Sequence, residues 1–113
     1  MVMQVFAALA DPTRAKIVET LARRDLTAGE IAARFPVSRP AISRHLRVLR
    51  TARLVRSRGD AQRRVYSLNP AALDEVDQWL ARCRDMWNRR LDRLDEYLKE
   101  MVAEEAKKLE NRK

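Results

Sequence analysis

The chain has 113 residues, enough for one compact domain, and its 24 lysines and arginines exceed its 16 acidic residues by a net charge of +8. Its two glycines are too far apart for a glycine-rich phosphate loop, and its single cysteine excludes an internal disulfide or a cysteine-based zinc cluster. No apolar run approaches the roughly 20 residues needed to cross a bilayer, so we expect a reduced, cytoplasmic protein without a membrane partner.

Capping signals divide the first third of the chain into short helices. A first helix is predicted by three apolar residues at helical spacing: Val2, Phe6 and Leu9. Asp11-Pro12 is typical of an N-cap followed by the first helical residue, and the apolar spacing continues to about Arg23. Thr27 and Glu30 form a capping box, which opens another short helix. That helix must end before Pro36, since proline disfavours a helical conformation in the residue before it.

A further cap and a change of periodicity follow. Ser38 predicts the N-cap of a helix whose buried stripe is Ile42, Leu46 and Leu49. After Ala52 the sequence turns to β-type residues on both sides of Gly59-Asp60. This pattern predicts a two-stranded hairpin with its turn at that dipeptide.

Asn69-Pro70 repeats the cap-and-proline signal and predicts a final long helix. Its apolar residues recur three and four positions apart: Leu73, Val76, Leu80, Cys83, Trp87, Leu91, Leu94, Leu98 and Met101. We expect a single domain over 1–113, with a head over 1–70 and a long helix over 71–113. The polar end of that helix is expected to fray from about Ala103.

Two short helices joined by a tight turn and followed by a hairpin predict a winged helix-turn-helix. The fold class is therefore mainly α with a small β-hairpin and a long C-terminal dimerisation helix. Between Arg39 and Arg64 there are nine arginines and one acid, so this window alone carries the whole net charge of +8. Each phosphate that an arginine neutralises releases condensed counterions, which favours DNA as the partner.

Two groups of side chains are candidates for that contact. The helix after Ser38 carries one polar face: Arg39, Pro40, Ser43, Arg44 and Arg47. An arginine on such a face can bind guanine through two hydrogen bonds in the major groove. The wing carries the second group: Arg56, Arg58, Arg63 and Arg64. Arginines at a thin loop can contact the DNA backbone or enter the narrow minor groove.

The chain contains three stretches with a known pattern: DPTRAKIVETL, LTAGEIAARFPVSRPAISRHLRVLRTARLV and RRVYSLNPAAL. They resemble the ArsR/SmtB family of bacterial winged-helix repressors, and the resemblance covers Phe6 to about Leu98. Its most specific part is the element Ser38–Leu46. The resemblance implies a homodimer that binds a palindromic operator in double-stranded DNA and represses transcription, often of its own operon. By position, it implies a base-contacting face of Arg39, Pro40, Ser43 and Arg44, with His45 beside it. Ser38 also belongs to the predicted DNA-binding set.

Two positions depart from the family pattern. Pro36 and Arg53 stand where many relatives have glycine. A Cβ at the second position disfavours the left-handed conformation that often ends the recognition helix, so we expect this helix to end differently. Neither departure removes a predicted DNA contact.

The sensing chemistry known in the family is not expected. The supporting helix, TAGEIAARF, has no cysteine, and the last helix has no histidine. Its remaining candidates, Asp74, Asp77 and Asp85, are carboxylates that suit hard cations rather than zinc or arsenite. We therefore predict no metal site and no cofactor, see no evident small-molecule or metal effector, and note that the chain is similar to the metal-independent, SdpR-like branch.

The final helix is expected to form a dimer. From Ala71 to about Met101 it would span roughly 45 Å, and a 70-residue head is too short to cover an apolar stripe of that length. A two-fold mate would bury it in an isologous interface. The predicted interface residues are Val2, Phe6, Leu9, Leu73, Val76, Leu80, Cys83, Trp87, Leu91 and Leu94.

Other interpretations stay open at this point. Cys83 between Arg82 and Arg84 could make the protein a thiol sensor, and a metal-responsive repressor would need ligands that the sequence does not reveal. Winged helices also serve as RNA-binding or protein-interaction modules. An enzyme is not expected, because Ser43 and His45 point apart on a helix and no orienting third group is evident.

Overall fold

A computed structural model describes residues 2–112 and contains five helices and three strands in that range. In chain order they are α1 (Val2–Leu9), α2 (Pro12–Arg23), β1 (Leu26–Thr27), α3 (Ala28–Arg34), α4 (Arg39–Thr51), β2 (Val55–Asp60), β3 (Arg63–Leu68) and α5 (Pro70–Asn111). The predicted class, mainly α with a small β-hairpin and a long last helix, is confirmed.

The four capping signals form as the sequence predicts, and the last of them is Asn69, whose Oδ1 accepts from the amide of Ala71 at 3.3 Å. Asp11 Oδ2 accepts from the amide of Arg14 at 3.0 Å, and Ser38 Oγ accepts from the amide of Ala41 at 3.2 Å. In the capping box the amide of Glu30 donates to Thr27 Oγ1 at 3.2 Å, and the amide of Thr27 donates to Glu30 Oε1 at 3.0 Å. The bond from the Thr27 amide holds the pKa of Glu30 below its ordinary value.

The sheet differs from the predicted hairpin in two ways. A two-residue strand, β1, adds to β3, and the strand order is β1-β3-β2 with antiparallel pairs. The turn lies at Ala61-Gln62 rather than at Gly59-Asp60, because Gly59 pairs with Arg64 and Asp60 with Arg63. The buried residues at the base of the hairpin set this register, and the pairs beyond them follow from it.

The core lies in the part of the chain that precedes Gln78. It is built mainly from these buried residues: Val5, Ala8, Ile17, Leu21, Leu26, Ile31, Ile42, Leu46, Leu49, Leu54, Val55 and Tyr66. The stripe predicted for α4 is confirmed, since Ile42, Leu46 and Leu49 are at most 2% exposed. This packing fixes which side of α4 faces outward.

The chain divides into two compact units between Asp77 and Gln78. The first two turns of α5 therefore belong to the unit that holds the core, whereas we predicted the head to end at 70. In the structure α5 continues to Asn111, and fraying of the polar end from about Ala103 stays a prediction. The last segment is rich in alanine, glutamate, lysine and leucine, all strong helix formers, which explains why the helix continues.

The prediction for the end of α4 is wrong. Arg53 adopts the left-handed conformation, with φ of 63°, although it is not glycine. The amide of Leu54 donates to the carbonyl of Leu49, and the amide of Arg53 to that of Arg50, both at 3.0 Å. These two bonds form a Schellman motif, the helix C-cap in which the left-handed residue is usually glycine. The Asn69 side chain supports it by donating to the carbonyl of Arg53 at 2.9 Å.

Replacing Arg53 with glycine should stabilise the protein. Glycine adopts the left-handed conformation without the steric penalty of a Cβ, so we expect Arg53→Gly to raise the free energy of unfolding by about 1 kcal/mol. Chemical denaturation measures this directly, and Arg53→Ala is the matched control because it removes the same charge and keeps the Cβ. An equal gain in both variants would show that charge, not backbone conformation, is responsible.

Candidate nucleic-acid interface

The outer face of α4 is an open, cationic surface. Ser43, Arg44 and Arg47 are exposed, and Pro40 lies beside them in the first turn. The buried stripe holds the opposite side of the helix in the core, so these side chains are presented together on a rigid element. An α-helix with such a face fits the width of the DNA major groove.

The side chain of Arg39 reaches toward α3. Arg39 is the first residue of α4, and its guanidinium lies over Gly29 in the first turn of α3. A Cβ built on Gly29 would stand only 3.1 Å from Arg39 Nη2. The sequence placed Arg39 with Ser43 and Arg44, whereas the structure places its side chain across both helices of the helix-turn-helix.

His45 lies on the flank of α4 that faces α2. Its Nδ1 is 3.4 Å from Arg14 Nη1 and 3.9 Å from Asp11 Oδ2, and its side chain is 18% exposed. His45 thus faces the start of α2 and does not join the outer face of α4.

Arg14 connects three helices beside His45. Its Nε donates to the carbonyl of Ala8 at 2.7 Å and its Nη2 to that of Ala7 at 3.4 Å, both at the end of α1. A guanidinium at the carbonyl end of a helix is favourable because the helix dipole is negative there. The amide of Arg14, followed by the charges of His45 and Arg14, lowers the pKa of Asp11. Sequence reasoning missed this residue, since nothing local to Arg14 marks its partners.

The wing arginines divide between two faces of the hairpin. Residues directly opposite share a face, and successive residues alternate. Arg56 pairs with Ser67 and Arg58 with Val65, so Arg56, Arg58 and Arg63 lie on one face. Arg64 lies on the other, where its Nη1 donates to Ser57 Oγ at 3.2 Å.

Arg58 in the wing forms an ion pair with Asp25. Arg58 Nη1 lies 3.2 Å from Asp25 Oδ2, and both side chains are largely exposed. An exposed pair of this kind contributes little to stability, but it draws Arg58 toward the segment before β1. The sequence did not predict this pair, because Asp25 and Arg58 meet only through the pairing of β1 with β3.

The described part of the chain does not offer a metal site. Within residues 2–112, no group of three or more histidine, cysteine or carboxylate side chains is close enough to hold an ion. Across the same range no helix is long and apolar enough to cross a membrane.

Known proteins are similar to this chain in sequence and in fold. Residues 11–57 match the family described as "Bacterial regulatory protein, arsR family". The chain is 50% identical over 88 residues to the HTH-type transcriptional regulator Rv2034 of Mycobacterium tuberculosis, covering 78% of this chain and 79% of that protein. The chain belongs to the arsR family. The match with Rv2034 extends well beyond the helix-turn-helix that defines the family.

Two further comparisons place this arsR-family chain more closely. It is 42% identical over 76 residues to the transcriptional repressor SdpR of Bacillus subtilis, covering 67% of this chain and 84% of that protein. A solved ArsR-like transcriptional regulator from Rhodococcus sp. RHA1 superposes with a TM-score of 0.75 at 39% identity, covering 82% of this chain and 88% of that one. This arsR-family protein is a DNA-binding transcriptional regulator and not an enzyme, and its likeness to SdpR is consistent with the predicted branch.

The predicted dimer residues fall into two sets in this arsR-family protein. Leu9, Leu73 and Val76 are half-buried and pack against the core, and Val2 and Phe6 in α1 are half-buried as well. In the second unit the stripe is open: Leu80, Trp87, Leu91 and Leu94 are 42–54% exposed, and the free Cys83 is half-buried among them. Leu98 and Met101 continue the stripe, each 49% exposed.

Proposed function

We propose that the protein is a homodimeric repressor that binds a palindromic operator through α4 and the wing. The observation that carries this proposal is the rigid presentation of Ser43, Arg44 and Arg47 opposite a fully buried stripe. Arg39, Ser43 and Arg44 read base edges. Arg47 contacts phosphate. The bacterial chromosome lies in the cytoplasm, so we propose that compartment for the protein.

The wing supplies contacts that do not depend on sequence. Arg56, Arg58 and Arg63 share one face of the hairpin, which suits a row of phosphates. Arginines on phosphates position a protein on DNA but carry no base information. The recognition helix α4 therefore provides specificity, and the wing provides affinity.

A second copy of the chain covers the stripe of α5. Large apolar side chains recur along one side of α5 from Leu80 to Met101 and are about half exposed. Isolated exposed leucines are ordinary, but a continuous apolar stripe of this length marks an interface. Pairing it across a two-fold axis presents two recognition helices to successive major grooves about 34 Å apart.

Removing one wing contact should weaken all DNA alike. We expect Arg56→Ala to lower affinity for operator and random DNA by similar factors and to reduce the slope of log K against log salt by about 1. Fluorescence anisotropy across a salt series measures both quantities. Arg34→Ala removes an exposed arginine from α3 outside the proposed interface and should leave the slope unchanged. Loss of operator binding alone would contradict the phosphate role.

Transcription in a purified system tests repression. A template that carries the DNA upstream of the protein's own gene is transcribed with increasing amounts of the protein, and footprinting follows occupancy on the same template. We expect transcript levels to fall as a two-fold symmetric region becomes protected. A rise in transcripts with the same protection would show an activator, and no protection would contradict autoregulation.

A further inference from the structure

Gly29 occupies a position where neither backbone conformation nor helix formation favours glycine. Its φ is not in the left-handed region, and it lies inside α3, where alanine would be the better helix former. Among the described residues, an added Cβ would meet Arg39 Nη2 at 3.1 Å and Thr27 Oγ1 at 4.0 Å. The contact with Thr27 is an ordinary one. The contact with Arg39 is tighter than an ordinary one, so a Cβ on Gly29 would make the end of the Arg39 guanidinium shift by a few tenths of an ångström.

The position of the Arg39 side chain explains why this contact matters for DNA binding. Its backbone begins α4, while its guanidinium lies over the first turn of α3, so one side chain spans both helices of the motif. An arginine that is free in solution loses rotamer freedom when it is fixed on DNA, and this loss weakens binding. A side chain that already rests in a defined place loses less.

We propose that Gly29 is a positioning residue, whose missing side chain lets the guanidinium of Arg39 rest on α3 in the place from which it contacts DNA. The inference rests on the proposed function, because it requires Arg39 to touch the operator. It adds a specificity-determining position on the supporting helix, which itself carries no predicted DNA contact. Gly29 acts only through Arg39.

A double-mutant cycle tests this directly. Gly29→Ala is made in the full chain and in the Arg39→Ala variant, and the dissociation constant for an operator fragment is measured for all four proteins. In the native background we expect about a threefold to tenfold loss, the range for one long side chain that is no longer preorganised. In the Arg39→Ala background we expect no change beyond about twofold, because the side chain being positioned is gone.

Thermal unfolding separates positioning from damage to the fold. Alanine is the better helix former, so the unfolding midpoint of Gly29→Ala should be unchanged or raised while operator affinity falls. A lowered midpoint, an equal loss in both backgrounds, or no loss in the native background would overturn the inference. If Arg39→Ala leaves operator affinity intact while Arg44→Ala lowers it, the inference fails and the proposed function stands.

Discussion

Leu91→Glu together with Leu94→Glu should convert the dimer to a monomer and reduce operator affinity by about 10²–10⁴-fold, the gain that two linked sites provide over one. The two leucines are 43% and 52% exposed in the single chain and lie in the middle of the proposed interface. Glutamates there would place four carboxylates in an apolar contact across the two-fold axis. Sedimentation equilibrium measures the mass, and gel shift measures the affinity.

Ala103→Glu is the matched control for this change. Ala103 is exposed and lies two positions after Met101, about 160° around the helix from it, on the side opposite the stripe. The same apolar-to-acidic substitution there should leave the dimer and its operator affinity intact. Dissociation by both variants would indicate general damage to α5, and a stable dimer of the double variant would place the interface elsewhere.

The second large effect is expected at the recognition helix. Arg44→Ala should weaken operator binding by about 1–3 kcal/mol and relax the base preference at one position of each half-site. Arginine binds guanine through two hydrogen bonds, and alanine leaves both acceptors without that partner. Competition with operator variants that carry each base at that position measures the effect.

Random DNA provides the contrast for Arg44. The affinity of the Arg44→Ala variant for random DNA should fall much less than its affinity for the operator. By contrast, Arg56→Ala in the wing should lower the affinities for operator and random DNA by similar factors. If Arg44→Ala lowers the affinity for operator and random DNA equally, Arg44 contacts a phosphate and not a base. The outer face of α4 would then supply affinity without specificity.

Much of the fold was predictable because its signals are local. The caps at Asp11, Thr27 and Ser38 each involve residues no more than three apart, so the sequence contains both partners. The stripe of α4 follows from spacing alone. By contrast, β1 has two residues and no periodicity, and only its pairing with β3 defines it as a strand.

The errors arose where tertiary contacts override a local preference. Glycine is preferred where Arg53 stands, but the Schellman bonds and Asn69 hold Arg53 in the left-handed conformation. Likewise, Gly59-Asp60 is a turn signal, yet the register of the hairpin moves the turn to Ala61-Gln62. A local rule ranks conformations in isolation, whereas the fold selects the one that its packing allows.

The candidate site was predictable in composition and less so in geometry. The arginine-rich window from Arg39 to Arg64 identified the right segments, and the face of α4 follows from its buried stripe. The sequence could not show that Arg39 reaches Gly29 or that His45 faces Arg14, because both partners lie on other helices. Gly29 did carry one usable signal, since a glycine inside a helix usually has a packing or functional reason.

Selection of bound fragments from a random DNA pool tests the central claim most directly. The full chain is incubated with the pool at physiological salt, and bound fragments are amplified and sequenced over several rounds. We expect an inverted repeat whose half-site centres lie one helical turn, about 10–10.5 base pairs, or a multiple of it apart. Enrichment of a single unrepeated site, or no enrichment above the starting pool, would contradict a dimer that reads DNA through α4.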